Sequence, residues 1–332
     1  MTRKKRILFV CVNMEKFVEE DLNILKRNYE VKEIRINKRI GKSPQLIITA
    51  LKLVIYILWA DLSFCWFANI NAYLAVLISK VLGKKTVVVA GGFDVVSLPE
   101  IDYGLIRHKK AVGRVKFVLN NASLILPFSN HSKEEILKIS NPVKIKTLFL
   151  GVDTEKYRPG NKKRIVTTIG NVKTTTLKRK GLETFVRTSA RMPEVKFYLI
   201  GKQVDESAVS FLKSLSGNNL TLTDYLEQKD LINILRQTSV YLQVSAHEGF
   251  GLALAESMSC GCIPVVTKRG SIPEVVGDEG IYVPFDDVTS TVSAVKKALK
   301  IDSEELNPRG RIIRNFPIVD REKKLIKIID EL

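Results

Sequence analysis

The sequence predicts an α/β chain built as two Rossmann-like domains, each a doubly wound parallel sheet, facing a cleft. Three observations carry that expectation. Short runs rich in β-branched residues alternate with longer amphipathic stretches, and near-continuous apolar strands separated by helices mean a parallel sheet covered on both faces. The alternation restarts after Gly151. The 332 residues exceed the usual size of one domain.

In the first half the strands read as 7–12 (ILFVCV), 31–36 (VKEIRI), 62–67 (LSFCWF), 86–90 (TVVVA), 124–128 (LILPF) and 145–150 (IKTLFL). Helical stretches lie between them at 19–26, 71–81, 105–120 and 132–139, the last with Ser132 and Glu135 at capping-box spacing. In the second half the strands read as 165–170, 196–200, 220–223, 240–244, 262–266 and 280–283. The helices there read as 182–191, 207–216, 230–237, 252–259 and 288–300. The polar stretch 153–163, with Pro159-Gly160, reads as a linker, which gives domains of 1–152 and 153–332. The final amphipathic segment, 320–332, is expected to pack back on the first domain.

Composition narrows the classes. Hydrophobic residues are 45% and charged residues 27%, which excludes disordered and collagen-like chains. Cys11, Cys65, Cys260 and Cys262 show no C-x-x-C pair and no zinc spacing, so a reducing cytoplasm is the default and Cys260 and Cys262 read as packing residues. The basic start, 2–6, precedes an apolar run too short for a signal peptide. The apolar stretch 46–59 falls short of the ~20 residues of a spanning helix. Gln45, Thr49, Lys52 and Tyr56 recur there at helical spacing, so it reads as a mostly buried helix with a narrow polar stripe. A sharper reading lets its apolar flank touch lipid. The net charge of +18 calls for a polyanionic partner: nucleic acid, an anionic membrane, or a phosphorylated substrate. Residues 1–155 hold 25 basic and 14 acidic residues, and 156–332 hold 28 and 21.

The chemistry concentrates in 245–278, SAHEGFGLALAESMSCGCIPVVTKRGSIPEVVGD. A buried strand ends near Ser245, a loop carries Glu248 and Gly249-Phe250-Gly251, and a helix begins at Leu252 and carries Glu256. The amides of Gly251 and Leu252 open that helix, which makes an anion site by geometry and dipole. Both carboxylates are positioned to reach different parts of one extended ligand.

Glu248 and Glu256 form an E-x7-E pair inside EGFGLALAES, followed by GCIPVV and GSIPEVVGD. With LGVDTEKYRP at 150–159 and IGNVKTTTLKRKGLETFV at 169–186, this resembles the retaining GT-B glycosyltransferases of glycosyltransferase family 4. The likeness is close over the second half and mainly architectural over the first. It implies sugar transfer from a nucleoside diphosphate sugar to a hydroxyl, with retention and without a metal or other cofactor. By the resemblance Glu248 contacts the donor sugar and Glu256 accepts hydrogen bonds from the ribose diol. The amides of Phe250, Gly251 and Leu252 meet the sugar or diphosphate. Lys180 in the K-G position meets the phosphates, beside Gly170 and Asn171, and Tyr225 lies where the base binds. The first domain takes the acceptor, a lipid-linked or cell-envelope glycan at the membrane surface.

Three positions depart from the family pattern. Asn171 stands where an arginine is usual, and Lys173, Lys178 and Arg179 offer charge instead. Gly91 stands where a histidine is usual, while Asp94 is retained as either a sugar or acceptor contact or a turn residue. The opening loop, Val12-Asn13-Met14-Glu15, lacks the usual glycine pair. His247 reads as a loop histidine, and the ring of Tyr225 as a stacking platform or a core residue. Localisation is expected to be cytoplasmic, peripheral on the inner face of the membrane, through Lys38, Arg39, Lys42 and Lys52. Two rival readings rest on charge alone: the same fold glycosylating a nucleic acid, and a non-catalytic basic nucleic-acid-binding protein. Neither has a helix-turn-helix, zinc finger or RNP-type aromatic set behind it.

Overall fold

A computed structural model describes residues 3–35, 44–301 and 305–332. Lys38, Arg39 and Lys42 lie outside the described residues, as do the side chains of Gln45 and Thr49. The chain divides into two compact units. The first comprises Met1–Pro99, Tyr103–Leu150 and Asp320–Leu332, and the second Glu100–Asp102 and Gly151–Val319.

The first unit runs β1 (Arg6–Cys11), α1 (Lys16–Asn28), β2 (Glu30–Arg35), α2 (Pro44–Trp59), β3 (Leu62–Trp66), α3 (Ile70–Val81), β4 (Lys85–Ala90), α4 (Lys109–Asn121), β5 (Leu124–Pro127) and α5 (Asn130–Ile139). Its sheet is parallel throughout, in the order β2-β1-β3-β4-β5. Alternate strand residues such as Val10, Cys65 and Val88 pack on Leu53 and Ile57 of α2, Val76 of α3 and Val115 of α4.

The second unit runs β6 (Lys163–Ile169), α6 (Thr174–Lys180), α7 (Leu182–Ala190), β7 (Lys196–Ile200), α8 (Glu206–Leu215), β8 (Leu220–Leu222), α9 (Gln228–Gln237), β9 (Thr238–Gln243), α10 (Leu252–Ser259), β10 (Ile263–Thr267), α11 (Ile272–Val276), β11 (Ile281–Val283), α12 (Val288–Ala298) and α13 (Pro308–Asn315). The last helix, α14 (Ile318–Asp330), belongs to the first unit from Asp320 onward. The second sheet is also parallel, in the order β11-β10-β9-β6-β7-β8. Its strand order reverses between β6 and β9. Such a switch point opens a crevice beyond the carboxyl ends of the two strands, and ligands bind there in this class of sheet.

Five sequence expectations are corrected. Residues 145–150 do not extend the first sheet as a strand; they touch β5 through one bridge, Ile125 to Ile145, and the bond from Leu148 N to Pro127 O. Pro127 has no N–H to give, so the ladder stops there. Helix α5 is capped by Ser129, whose Oγ accepts from Ser132 N, so Ser132 and Glu135 form no capping box. Helix α4 starts at Lys109 rather than 105. The stretch 174–180, read as part of a long loop, is the short helix α6. The segment 153–163 is pinned rather than loose: Asp153 Oδ1 accepts from Glu155 N and Lys156 N, Tyr157 is buried, and Arg309 donates to the carbonyls of Thr154 and Tyr157.

Candidate active site

The crevice between β6 and β9 is where the motif residues of the second unit meet. Past β6 the chain turns through Gly170 and Asn171 into α6, and Gly181 joins α6 to α7 in a left-handed conformation (φ 65°). A Cβ on Gly181 would lie 2.2 Å from Val244 O, at the end of β9. Only glycine lets the two backbones approach this closely, and that approach sets Lys180 beside the loop leaving β9. The bond from Ala246 N to Arg179 O, 2.8 Å, ties the same two segments. We expect Gly181→Ala to lose about 2–4 kcal/mol, from left-handed strain plus overpacking, on urea denaturation. A loss under about 0.5 kcal/mol would show that the joint tolerates a side chain.

Glu248 sits at the centre. It is buried, its Oε1 accepts from Lys180 Nζ at 2.6 Å and from Ser245 Oγ at 3.0 Å, and Arg179 Nη1 lies 3.9 Å away. Burial pushes the carboxyl up, but Lys180 and Arg179 more than offset it, and the group is held below its ordinary value. Its backbone is clamped as well. Glu248 O accepts from Ser271 N (3.1 Å) and Ser271 Oγ (3.0 Å). A Cβ on Gly270 (φ 58°) would lie 2.6 Å from that same oxygen. Ser245, Gly270 and Ser271 were missed as site residues. Gly270 and Ser271 lie in the GSIPEVVGD stretch that carries the resemblance, and Ser245 ends the strand before it, but no role followed from either.

Three residues on, Gly251 is left-handed (φ 89°) and caps α10, so the amides that follow are directed out of the helix N-terminus. The ring of Phe250 is buried, edge-on to Phe316 at 5.5 Å, so its side chain packs and only its main chain faces the loop. Glu256 is buried on α10. A solvated helix residue, the plain alternative for Glu256, is therefore excluded.

Of the basic residues offered in place of the usual arginine, Arg179 lies beside Glu248, whereas Lys173 and Lys178 are exposed. Asn171 has a turn role: its Oδ1 accepts from Lys202 N and its O from Thr176 Oγ1. Gly170 packs against Gly201, where a Cβ would meet Gly170 O at 2.4 Å. Tyr225 is 60% exposed with Lys202 Nζ 5.3 Å from its ring centroid, so the core-packing alternative fails. His247 lies in the loop, as expected, and is buried there. Cys260 and Cys262 are buried free thiols, and burial pushes Cys260 up to about 12, which suits packing rather than chemistry.

Asp94 belongs to the first unit. It is buried, and its carboxylate accepts from Ala68 N (2.8 Å), Gly91 N (3.2 Å) and Gly92 N (2.9 Å). Those bonds make it a turn brace between the ends of β3 and β4. The missing histidine has a steric reason: Gly91 has φ 141°, and a Cβ there would lie 2.6 Å from Ser132 Cβ. Ser132 Oγ donates to Gly91 O in the same place. Among the described residues, no group of three or more His, Cys, Asp or Glu is arranged to hold a metal ion.

Two parallel Rossmann-like sheets with these strand orders define the GT-B class of glycosyltransferase architecture. Residues 163–300 match the family model described as Glycosyl transferases group 1. The chain is similar to the O-antigen chain mannosyltransferase B of Escherichia coli, 35% identical over 79 residues covering 24% of this chain and 21% of that protein. It is also similar to the GDP-mannose:cellobiosyl-diphosphopolyprenol alpha-mannosyltransferase of Xanthomonas campestris, 24% identical, covering 52% of this chain and 48% of that one. Thus the chain spans about half or less of the length of these relatives. Among solved structures, Anabaena HepE in complex with UDP and glucose aligns with a TM-score of 0.80 at 17% identity, covering 99% of this chain and 100% of that one. The lipopolysaccharide outer core galactosyltransferase WaaB aligns with a TM-score of 0.71 at 16% identity, covering 98% and 100%. At these identities the alignments define the fold.

Proposed function

We propose that the protein is a retaining glycosyltransferase that moves a sugar from a nucleoside diphosphate sugar to a hydroxyl of a lipid-linked or cell-envelope glycan, with no metal and no cofactor beyond the donor. The observation that carries this reading is the buried Glu248 carboxylate, bonded to Lys180 and flanked by Arg179 beside the N-terminus of α10. Such a cluster offers opposite charges to opposite ends of one ligand. The carboxylate suits sugar hydroxyls, which donate to it. The two cations and the helix amides suit a diphosphate, on which negative charge grows as the glycosidic bond breaks. Glu256 suits the vicinal diol of a ribose, because its two oxygens accept from both hydroxyls. The exposed ring of Tyr225 offers a face for the base.

In this reading Lys180 leaves Glu248 for the diphosphate when donor enters, and the sugar hydroxyls take its place. The departing phosphate accepts the proton of the attacking hydroxyl on the same face, which retains the anomeric configuration. Asp94 has no part in the step, since backbone amides occupy its carboxylate. The first unit takes the acceptor, on the inner face of a membrane. The diphosphopolyprenol acceptor named for the Xanthomonas relative supports a lipid-linked acceptor.

A donor screen reading release of nucleoside diphosphate, with and without EDTA, tests the reading, and NMR of the product tests retention. Glu256→Ala is expected to raise the donor KM by about tenfold or more, the worth of a charge-assisted pair of hydrogen bonds. Turnover of no donor by the wild type, or an unchanged KM in the variant, would overturn the assignment.

A further inference from the structure

The first unit presents an apolar face that its own core does not use. Along α2, Ile48, Leu51, Ile55 and Leu58 are each more than half exposed. At about 100° per residue these four fall within an arc of about 80°. Leu53 and Ile57, on the opposite side of the helix, are fully buried. The aliphatic arc lies beside the expected polar stripe, of which Lys52 is exposed and Tyr56 half-buried, and the expectation of a mostly buried helix is corrected.

One border of that arc is cationic and aromatic. Lys52, Tyr56 and Trp59 follow the stripe around the helix, and Lys52 is exposed. Lys32 Nζ lies 5.0 Å from the Tyr56 ring and 4.3 Å from the Trp59 ring, and the guanidinium of Arg6 is 5.5 Å from Trp59. Lys84 Nζ donates to Leu58 O and Ala60 O at the end of the helix. No Asp or Glu occurs in α2. Acidic groups nearby are already engaged: Glu30 pairs with Arg6, and Asp61 with Arg3.

We infer that this face of α2 is a docking surface for an anionic phospholipid bilayer, with the helix lying in the plane of the interface. Aliphatic side chains enter the acyl boundary while Lys52, Lys32, Arg6 and Lys84 meet lipid phosphates at headgroup level. Tyr56 and Trp59 have the amphipathic rings that favour that level. The helix has 16 residues, about 24 Å, which is shorter than the ~30 Å hydrocarbon core. No helix among the described residues is long and apolar enough to cross a membrane. Charge decides between a bilayer and a second copy of the chain. Two copies meeting face to face would bring Lys52 against Lys52 in a chain of net +18, whereas an anionic surface neutralises both.

The inference goes beyond the transfer reaction and is tested without it. The wild type is expected to float with phosphatidylcholine vesicles containing phosphatidylglycerol at low salt, and not with pure phosphatidylcholine. Leu51→Glu with Ile55→Glu is expected to reduce the bound fraction by about tenfold or more, and Lys52→Glu by about fivefold. Both positions face solvent, so thermal melts and affinity for the nucleoside diphosphate that binds the wild type should not change. Equal flotation of the double variant and wild type, or no flotation of the wild type at low salt, would overturn the inference. A dimer by light scattering that the double variant converts to monomer would overturn it in favour of a second copy. Loss of nucleotide binding in the wild type, by contrast, counts only against the transferase reading.

Discussion

Replacing Glu248 with glutamine is expected to lower kcat for sugar transfer by about 10²–10³ while leaving the chain folded. The amide keeps the shape of the carboxylate and removes its charge. Lys180 Nζ then loses a partner at 2.6 Å in a place where neither side chain is more than a fifth exposed. In the proposed reaction the variant keeps one neutral acceptor for the sugar hydroxyls and puts a donor where the second carboxylate oxygen stood, so turnover suffers more than donor affinity. The pH dependence has a definite sign. Glu248 is held below its ordinary value of 4.5. A carboxyl depressed in this way contributes stability above its unfolded pKa and loses it as pH falls through the folded one. The wild-type acid limb from this group therefore lies below about pH 4.5, outside the neutral range, and the glutamine variant lacks it. A variant within about twofold of wild type at pH 7 would remove Glu248 from the reaction.

The alternation of strands and helices was legible because apolar runs bounded by polar stretches survive almost any tertiary context. Helix α10 is an example, expected at 252–259 and found at Leu252–Ser259. What failed was decided by partners distant in sequence. Nothing local in IKTLFL says that its neighbour strand ends on Pro127, where a ladder bond cannot form. The burial of α2 was misjudged for a similar reason: periodicity locates a polar arc but not how much of the apolar remainder the sheet covers. Within the candidate site, Glu248 and Glu256 were singled out from the stretch 245–278 and Lys180 from 169–186, and the structure places Lys180 against Glu248. The residues that hold them were not. Gly181 looked like a helix start, yet its role is set by Val244 more than sixty residues away. Asp94 was ambiguous in sequence, because a turn brace and a ligand contact call for the same residue type. Its three backbone donors give it the role of a turn brace.

The largest effect on stability is expected in the first unit, from Arg321→Met on α14. Arg321 and Asp21 of α1 are joined by two bonds of 2.7 Å, Nε to Oδ1 and Nη2 to Oδ2, at side-chain exposures of 2% and 0%. Arg321 Nη1 also donates to Leu148 O at 2.8 Å and Phe149 O at 2.6 Å. One guanidinium therefore ties α14, α1 and the strand-like segment after α5 within the first unit. Lys5 Nζ to Ile329 O and Tyr29 Oη to Asp330 Oδ1 fasten the far end of the same helix. Removing the cation leaves Asp21 charged, buried and unpaired, which costs about 3–5 kcal/mol in comparable sites. Most of that cost is the stranded charge rather than the worth of the pair, and a double variant separates the two. Asp21→Leu with Arg321→Met should recover more than half of the loss. The remainder, about 1–2 kcal/mol, belongs to the carbonyls of Leu148 and Phe149 left without a donor. Urea denaturation of both variants measures the difference. A single variant within about 1 kcal/mol of wild type would mean that water reaches Asp21 and that the last helix is held by its apolar face, through Leu325, Ile328 and Ile329, instead.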